Sequence, residues 1–398
     1  MLYGIIYQVL LVLASAVVFG EIFGRFGLPS VAGALLSGLV LGPTVLRVVS
    51  SNAEIQGVST VSLFFIIFLI GLEMRTETIR KHIVHGTLAS ITSFIIPFVA
   101  ATLLSFRLLP FGAVPDLVVS LVIAVPSISI ISAIVLQYRL LELQTGQTLL
   151  ASTVISDVVA FMVLAIVLQS VGSAFSLAVF VILFVAIFAA VDRVLNARTD
   201  AFQRLLQTAS RILRGENVSY AVLIVSGLLV SFIFQSVGLS YIVGAFFAGL
   251  MLHEELIGKE AFGRLSRTFT RMNEGFFIPV FFGFAGVQAN LLASGYQSIE
   301  ALAVVILASV TPSVVLTYAG VRGLLKFSGD DARDMAVILG GRGAVGIVIA
   351  TAALNDGIID ASAYSLAILG TMVISTLVPL LIRRREGVSV RPQGRRIA

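Results

Sequence analysis

One carboxylate stands deep inside an apolar run, Leu149-Leu-Ala-Ser-Thr-Val-Ile-Ser-Asp157-Val-Val-Ala-Phe-Met-Val163. In a helical span read as 148–169, Asp157 lies about 14 Å from one end, close to the middle of a hydrocarbon core of ~30 Å. An aspartate at that depth costs on the order of 2.5 to 3.5 kcal/mol, so it needs a partner or a task. Membrane carboxylates by default mark ion or proton pathways, and a structural salt bridge is the plainer alternative. Ser156 and Thr153 offer further oxygens from the same span. A neighbouring run, Val125-Pro126-Ser127-Ile-Ser129-Ile-Ile-Ser132, carries a proline that removes a backbone donor and frees a carbonyl. With the hydroxyls of Ser127 and Ser129, an unwound stretch there could complete the shell of a dehydrated cation beside Asp157. Each serine could equally bond back to its preceding turn.

The deep base is Arg342, in Gly340-Gly-Arg-Gly-Ala-Val-Gly346, at nearly the same depth as Asp157. Its glycines suggest a second broken helix. Arg342 could compete with a cation for Asp157, or it could lock the break by bonding to freed carbonyls. The second fits better, because an arginine is always charged and cannot itself release a proton. Glu73, Asn355 and Asp356 read as charges and polar groups at span ends, and His82, His85 and His253 also fall at predicted helix ends. Isolated histidines there suit a structural role better than a metal site.

These residues need helices to hold them. Of 398 residues 58% are hydrophobic and 12% charged, against about 25% charged in a soluble domain. The chain therefore reads as an all-α polytopic membrane protein of about 13 spans, near 3–21, 29–46, 58–74, 86–108, 116–138, 148–169, 172–195, 218–236, 238–254, 274–293, 298–325, 332–355 and 362–382. The first run lacks a basic leader and a small-residue cleavage site, so it reads as a retained span. The absence of cysteine excludes disulfides, iron–sulfur clusters and thiolate metal sites. With the amino terminus outside, every Lys and Arg except Arg47, Arg107 and Arg342 falls in an inner loop or the basic tail, 383–398. The positive-inside rule then gives an odd span number and a cytoplasmic carboxyl terminus. The formal charge of +5 thus reflects topology and anionic lipid, not nucleic acid.

The chain also repeats itself. Gly27-Leu-Pro-Ser-Val-Ala-Gly-Ala-Leu-Leu-Ser-Gly-Leu-Val-Leu41 overlays Gly238-Leu-Ser-Tyr-Ile-Val-Gly-Ala-Phe-Phe-Ala-Gly-Leu-Met-Leu252 at an offset of 211, and Gly71 matches Gly286 at 215. Spans 2 and 9 are separated by an odd number of crossings, so the two copies are expected to be inverted in the membrane. Inverted repeats that rock or slide around a midplane site are the architecture of secondary transporters.

In this order, Arg25-Phe-Gly-Leu-Pro29 with Leu41-Gly-Pro43, Val237-Gly-Leu-Ser-Tyr-Ile-Val-Gly-Ala-Phe-Phe-Ala-Gly-Leu250, Gly275-Phe-Phe-Ile-Pro-Val-Phe-Phe-Gly-Phe-Ala-Gly286 and Gly341-Arg-Gly-Ala-Val-Gly346 resemble the second monovalent cation:proton antiporter family. That family includes bacterial and archaeal Na+/H+ antiporters and the membrane part of potassium efflux systems. The resemblance covers nearly the whole chain. It implies a homodimer with a scaffold of 1–74 and 218–293 and an ion-translocating core of 86–169 and 298–382, joined by a linker span at 172–195. In that arrangement spans 5 and 12 cross as broken helices, the core moves as an elevator, and Asp157 matches the family's ion-binding aspartate. Electrogenic sodium antiporters of this type carry paired aspartates where this chain has Ser156-Asp157. They also carry a lysine in the span corresponding to 298–325, where Thr311-Pro-Ser-Val-Val-Leu-Thr317 has none. Potassium efflux relatives often have glutamine before the aspartate and a nucleotide-binding domain, and this chain has neither.

The expected function is exchange of Na+ or a similar cation for H+ at Asp157, one for one, with no enzyme chemistry and no cofactor, the ions being cargo. Its setting is a prokaryotic inner membrane. Rival readings are a carrier of K+ or a small organic ion, a cation channel, and an intramembrane aspartyl protease. The protease needs a second deep aspartate, which no other span supplies.

Overall fold

Apolar runs closed by glycine, proline and charge fold as helices in the computed structural model, which describes residues 2–50, 52–73, 76–128, 131, 135, 140, 143–168, 217–236, 241–251, 259–290 and 296–383. Among these residues every regular element is a helix, and five are long and apolar enough to cross a membrane: Gly4–Arg25, Ala53–Leu72, Ile83–Leu108, Gln144–Val167 and Ile299–Gly323. The predicted span 172–195, Ser129, His253 and the tail beyond Arg383 lie outside the described residues.

Helix α1 (Leu2–Arg25) stops at a turn where Gly27 takes φ +72°, and Pro29 opens α2 (Ser30–Leu41). Glycine holds that φ without strain. Asn52 caps α3 (Ala53–Glu73) by accepting the Ile55 amide at 2.9 Å. Helix α4 (Thr76–Ser90), kinked at His82, runs through a π turn (Ile91–Ile95) into α5 (Ile96–Leu108). Then come α6 (Ala113–Ala124), α7 (Gln144–Leu168), α8 (Asn217–Ser236), α9 (Tyr241–Met251) and α10 (Lys259–Met272). A second π turn (Asn273–Phe277) joins α10 to α11 (Ile278–Gln288). The described helices end with α12 (Tyr296–Gly323), α13 (Gly329–Leu339), α14 (Ala344–Asn355) and α15 (Ala361–Arg383).

Two elements differ from the sequence expectation. A helical segment from Thr76 precedes the span read as starting near 86, and the non-helical kink at His82 leaves that residue between the two, with His85 in the first turn of the second. Helix α10 occupies a stretch read as a basic loop. Its Leu265 and Phe269, four residues apart, bury in a cluster with Phe68 and Leu72, while Arg267 and Arg271 stay exposed. That is the i, i+4 spacing of an amphipathic helix, too short an apolar stripe to register as a span.

Glycine sets the closest helix approaches. A Cβ built on Gly38 of α2 would run into the Gly283 carbonyl of α11, and one on Gly286 into the Leu35 carbonyl of α2. Likewise a Cβ on Gly71 of α3 meets the Phe246 carbonyl of α9, and one on Gly249 meets the Phe68 carbonyl of α3. Gly33 holds α2 against the Phe19 backbone of α1, and a Cβ built on Gly244 of α9 would fall 2.6 Å from Ser231 Cα of α8. The offsets of 211 and 215 pair Gly33 with Gly244, Gly38 with Gly249 and Gly71 with Gly286, so register-matched glycines make matching contacts. Small residues let membrane helices approach backbone to backbone, where dispersion rather than the hydrophobic effect drives association. A second group is drawn together by Gly86 of α4, whose built Cβ would lie 2.8 Å from Ala151 Cβ of α7, and Gly346 of α14, whose built Cβ would lie 2.6 Å from the Val122 carbonyl of α6. The buried core runs through α6, α14 and α15 and reaches α9 where Phe161 and Phe246 pack at 4.8 Å. Large apolar side chains remain exposed on α1 (Ile6, Leu10), α8 (Leu229, Phe232) and α12 (Leu307, Val315), as helices that abut hydrocarbon require.

Overpacking a tight contact costs about 1 to 3 kcal/mol. Gly38→Val and Gly249→Val should therefore each lower the melting temperature of the detergent-purified protein by several degrees, whereas Gly24→Val, with nothing within 4 Å of its built Cβ, should leave it unchanged. Equal melting curves for all three variants would contradict this packing.

Candidate functional site

Two interrupted helices meet at their breaks. Helix α6 ends at Val125, whose ψ of 125° leaves the helical region one residue before Pro126. Across the gap the Ser127 amide donates to the Gly341 carbonyl at 2.9 Å, and Pro126 and Arg342 pair as an antiparallel bridge. Helical bonding resumes when the Ile131 amide reaches the Ser127 carbonyl at 3.0 Å. On the other strand α13 stops at Leu339 and α14 restarts at Ala344, leaving Gly340, Gly341, Arg342 and Gly343 unwound. Backbone groups that a continuous helix would consume are thus turned toward each other at the crossing. The C-terminal ends of α6 and α13 bring partial negative charge to this point.

Arg342 is fully buried and answers that charge. Its Nη1 donates to the Leu339 carbonyl at 3.0 Å, at the end of α13, and its Nη2 to the Ser93 carbonyl at 3.2 Å, in the first π turn. Ser313 of α12 donates its hydroxyl to the same Ser93 oxygen at 2.8 Å. Of the two roles weighed for Arg342, the geometry is that of the second, a guanidinium on freed carbonyls.

Asp157 is also fully buried, near the middle of α7, about 20 Å from the start of that helix. Among the described residues neither of its carboxylate oxygens has a hydrogen-bond partner. Buried polar groups are nearly always bonded, so a carboxyl group left this way calls for an explanation by its task. Helix α7 packs on α4 and touches α6, α13 and α14, so Asp157 lies on a helix that borders both breaks.

The neighbouring oxygens are placed as follows. Ser156 bonds back to the Ser152 carbonyl at 2.9 Å and meets the Ser90 hydroxyl of α4 at 2.8 Å. Thr153 bonds back to the Leu149 carbonyl at 2.9 Å. Both are fully buried, and Ser127 is 1% exposed at the crossing itself. Ser129 is outside the described residues. The structure thus brings Ser127 and Arg342 together, with Ser156, Thr153 and Asp157 on the helix beside them. Sequence reasoning missed Ser90, Ser93 and Ser313. It also passed over Asp116, 2% exposed in the first turn of α6, whose Oδ1 is unpartnered and whose main-chain carbonyl accepts the Ser105 and Ser120 hydroxyls at 3.2 and 2.8 Å. Pro97 was the available signal for Ser93, because a helical proline always leaves the carbonyl four residues earlier without its usual donor.

Residues 10–384 match the family described as sodium/hydrogen exchanger, transmembrane. Among similar proteins, a probable Na(+)/H(+) antiporter 3 of Methanocaldococcus jannaschii is 20% identical over 95% of each chain. The Na(+)/H(+)-K(+) antiporter GerN of Bacillus cereus is 24% identical over 94% of this chain and 93% of its own. The fold is that of the sodium proton antiporter MjNhaP1 of Methanocaldococcus jannaschii, with a TM-score of 0.71 at 15% identity over 97% of each chain. With a match that runs nearly end to end, and helix breaks that cross beside a helix carrying a buried carboxyl group, the chain belongs to the transmembrane sodium/hydrogen exchanger family.

Proposed function

We propose that this chain exchanges one monovalent cation, Na+ foremost, for one proton at Asp157. The observation that carries the reading is the carboxyl group of Asp157, fully buried and unpartnered on the helix that borders both breaks. Ser156, Thr153, Ser127 and Ser129 supply neutral oxygens, and backbone carbonyls at the crossing add to them. Proton and cation compete for the same carboxylate oxygens. A bare aspartate is charged and costs several kcal/mol to move through an apolar gate, whereas the protonated and cation-loaded forms are neutral there. Only a loaded carboxylate crosses, and coupling follows. Hydroxyl and carbonyl oxygens suit any hard monovalent cation, so K+/H+ exchange is the second reading, favoured by the name of GerN, a Na(+)/H(+)-K(+) antiporter.

Movement in this proposal is of an elevator type, in a homodimer with its amino terminus outside and its carboxyl terminus in the cytoplasm of a prokaryotic cell. The scaffold is 1–74 with 218–293 and the core 86–169 with 298–382. What supports the division is that the tight glycine contacts fall within each group: α1–α2, α2–α11, α3–α9 and α8–α9 in the first, α4–α7 and α6–α14 in the second. The register-matched glycines likewise support two related halves, inverted in the membrane as the span parity requires.

Two outcomes test the proposal in reconstituted vesicles. Asp157→Asn should lose Na+-driven proton movement while keeping the wild-type elution profile and melting temperature, and retained exchange in that variant removes the site. With a single carboxylate exchanging one charge for one charge, the rate should be unaffected by an imposed membrane potential. A severalfold change with potential refutes the one-for-one stoichiometry.

A further inference from the structure

The first π turn carries the Ile96 amide to the Ile91 carbonyl, five residues back, and the next residue, Pro97, has no amide at all. In an ordinary helix the amide at position 97 would bond to the carbonyl of Ser93. That carbonyl instead receives Arg342 Nη2 and the Ser313 hydroxyl, so three segments distant in sequence are joined at one oxygen: the α4–α5 junction, α12 and the α13–α14 break. Pro97 is itself buried.

We infer that Pro97 is a positioning residue for exchange: by withholding an amide it leaves the Ser93 carbonyl to the Arg342 guanidinium and so keeps that guanidinium off Asp157. The inference rests on the reading of Asp157 as the exchange site. The competition it describes is physical. Arg342 joins α13 to α14, and both pack against α7. Two carbonyls hold the guanidinium by Nη1 and Nη2 while its buried Nε has no partner among the described residues, so loss of the Ser93 oxygen leaves a second buried donor unpaired. Asp157, on the helix that touches both α13 and α14, offers an unpartnered carboxylate of opposite charge, and an arginine there excludes both proton and cation.

Other ionisable groups on the elements around α7 are poor substitutes. Those described are the half-buried His82 and His85 on α4, Asp116 at the far end of α6, Tyr241 at the start of α9 and the charged first turns of α13. Among the described side chains on these elements, Arg342 is the fully buried base.

The test is Pro97→Ala, which restores the missing amide. In reconstituted vesicles its half-saturating Na+ concentration should rise about tenfold and its pH–rate profile should move about one unit toward acid, as expected for a cation brought within reach of a carboxylate. Replacing residue 97 by the α-hydroxy analogue of alanine, which has an ester oxygen in place of the amide, should return both quantities to wild type. A loss of helix shape alone would not be rescued by that change. Wild-type kinetics in a folded Pro97→Ala protein, or equal defects in the alanine and ester variants, overturns the inference. If exchange is too slow to measure, a cryo-EM structure of Pro97→Ala decides: a guanidinium displaced from the Ser93 carbonyl supports the inference, and one still bonded there overturns it. Exchange retained by Asp157→Asn is a separate failure, of the site reading, and leaves the structural outcome for Pro97 to be judged by itself.

Discussion

A guanidinium and a carboxyl group are both held wholly out of water in this protein, and they are not bonded to each other. Taking an ionised group out of water costs several kcal/mol even after relaxation, and direct pairing is the usual remedy. Here the cost of burying Arg342 is offset by backbone dipoles. Leu339 and Ser93 give it carbonyl oxygens at 3.0 and 3.2 Å, and the C-terminal end of α13 adds its partial negative charge. The carboxyl group of Asp157 is left without a hydrogen-bond partner among the described residues. Had the two paired, the acid would be neutralised by a permanent partner, and the exchange proposed for it could not occur.

Supplying carbonyls to an arginine requires helices that fail to use them. Pro126 and the glycines around Arg342 interrupt two helices at one crossing, and Pro97 does the same service more quietly inside what is otherwise a continuous helix. Such irregular backbone is tolerated at membrane depth only where protein surrounds it. The glycine contacts provide that enclosure by bringing neighbouring backbones into van der Waals touch. The repeated register of those glycines means one packing solution is used twice, once for α2 against α11 and once for α9 against α3.

Much of this was legible in the residues. Asp157 announces itself by its depth in an apolar run, and Pro126 and the Gly340–Gly346 stretch mark their helix breaks, because proline and clustered glycine act on the backbone directly. The pairing of the two breaks was available only through resemblance, since no local pattern states which distant strand lies opposite. Ser93 was invisible for a related reason: its contribution is a main-chain oxygen, and side-chain identity says nothing of where a carbonyl points. Helix α10 escaped notice because its apolar stripe is short, Phe262, Leu265 and Phe269 among basic residues, which reads as an inner loop until Phe68 and Leu72 are seen beneath it. The buried Asp116 was passed over because it stands at a span end, where a charge normally meets water.

The central claim is that H+ and Na+ take turns on one carboxylate. It is tested most directly by calorimetric titration of Na+ into the purified protein in buffers of differing ionisation enthalpy, over a range of pH. The account predicts that close to one proton is released for each Na+ bound where Asp157 starts protonated, with release falling toward zero as the pH rises and the site starts empty. Na+ binding that releases no proton at any pH, or that releases two, would contradict it.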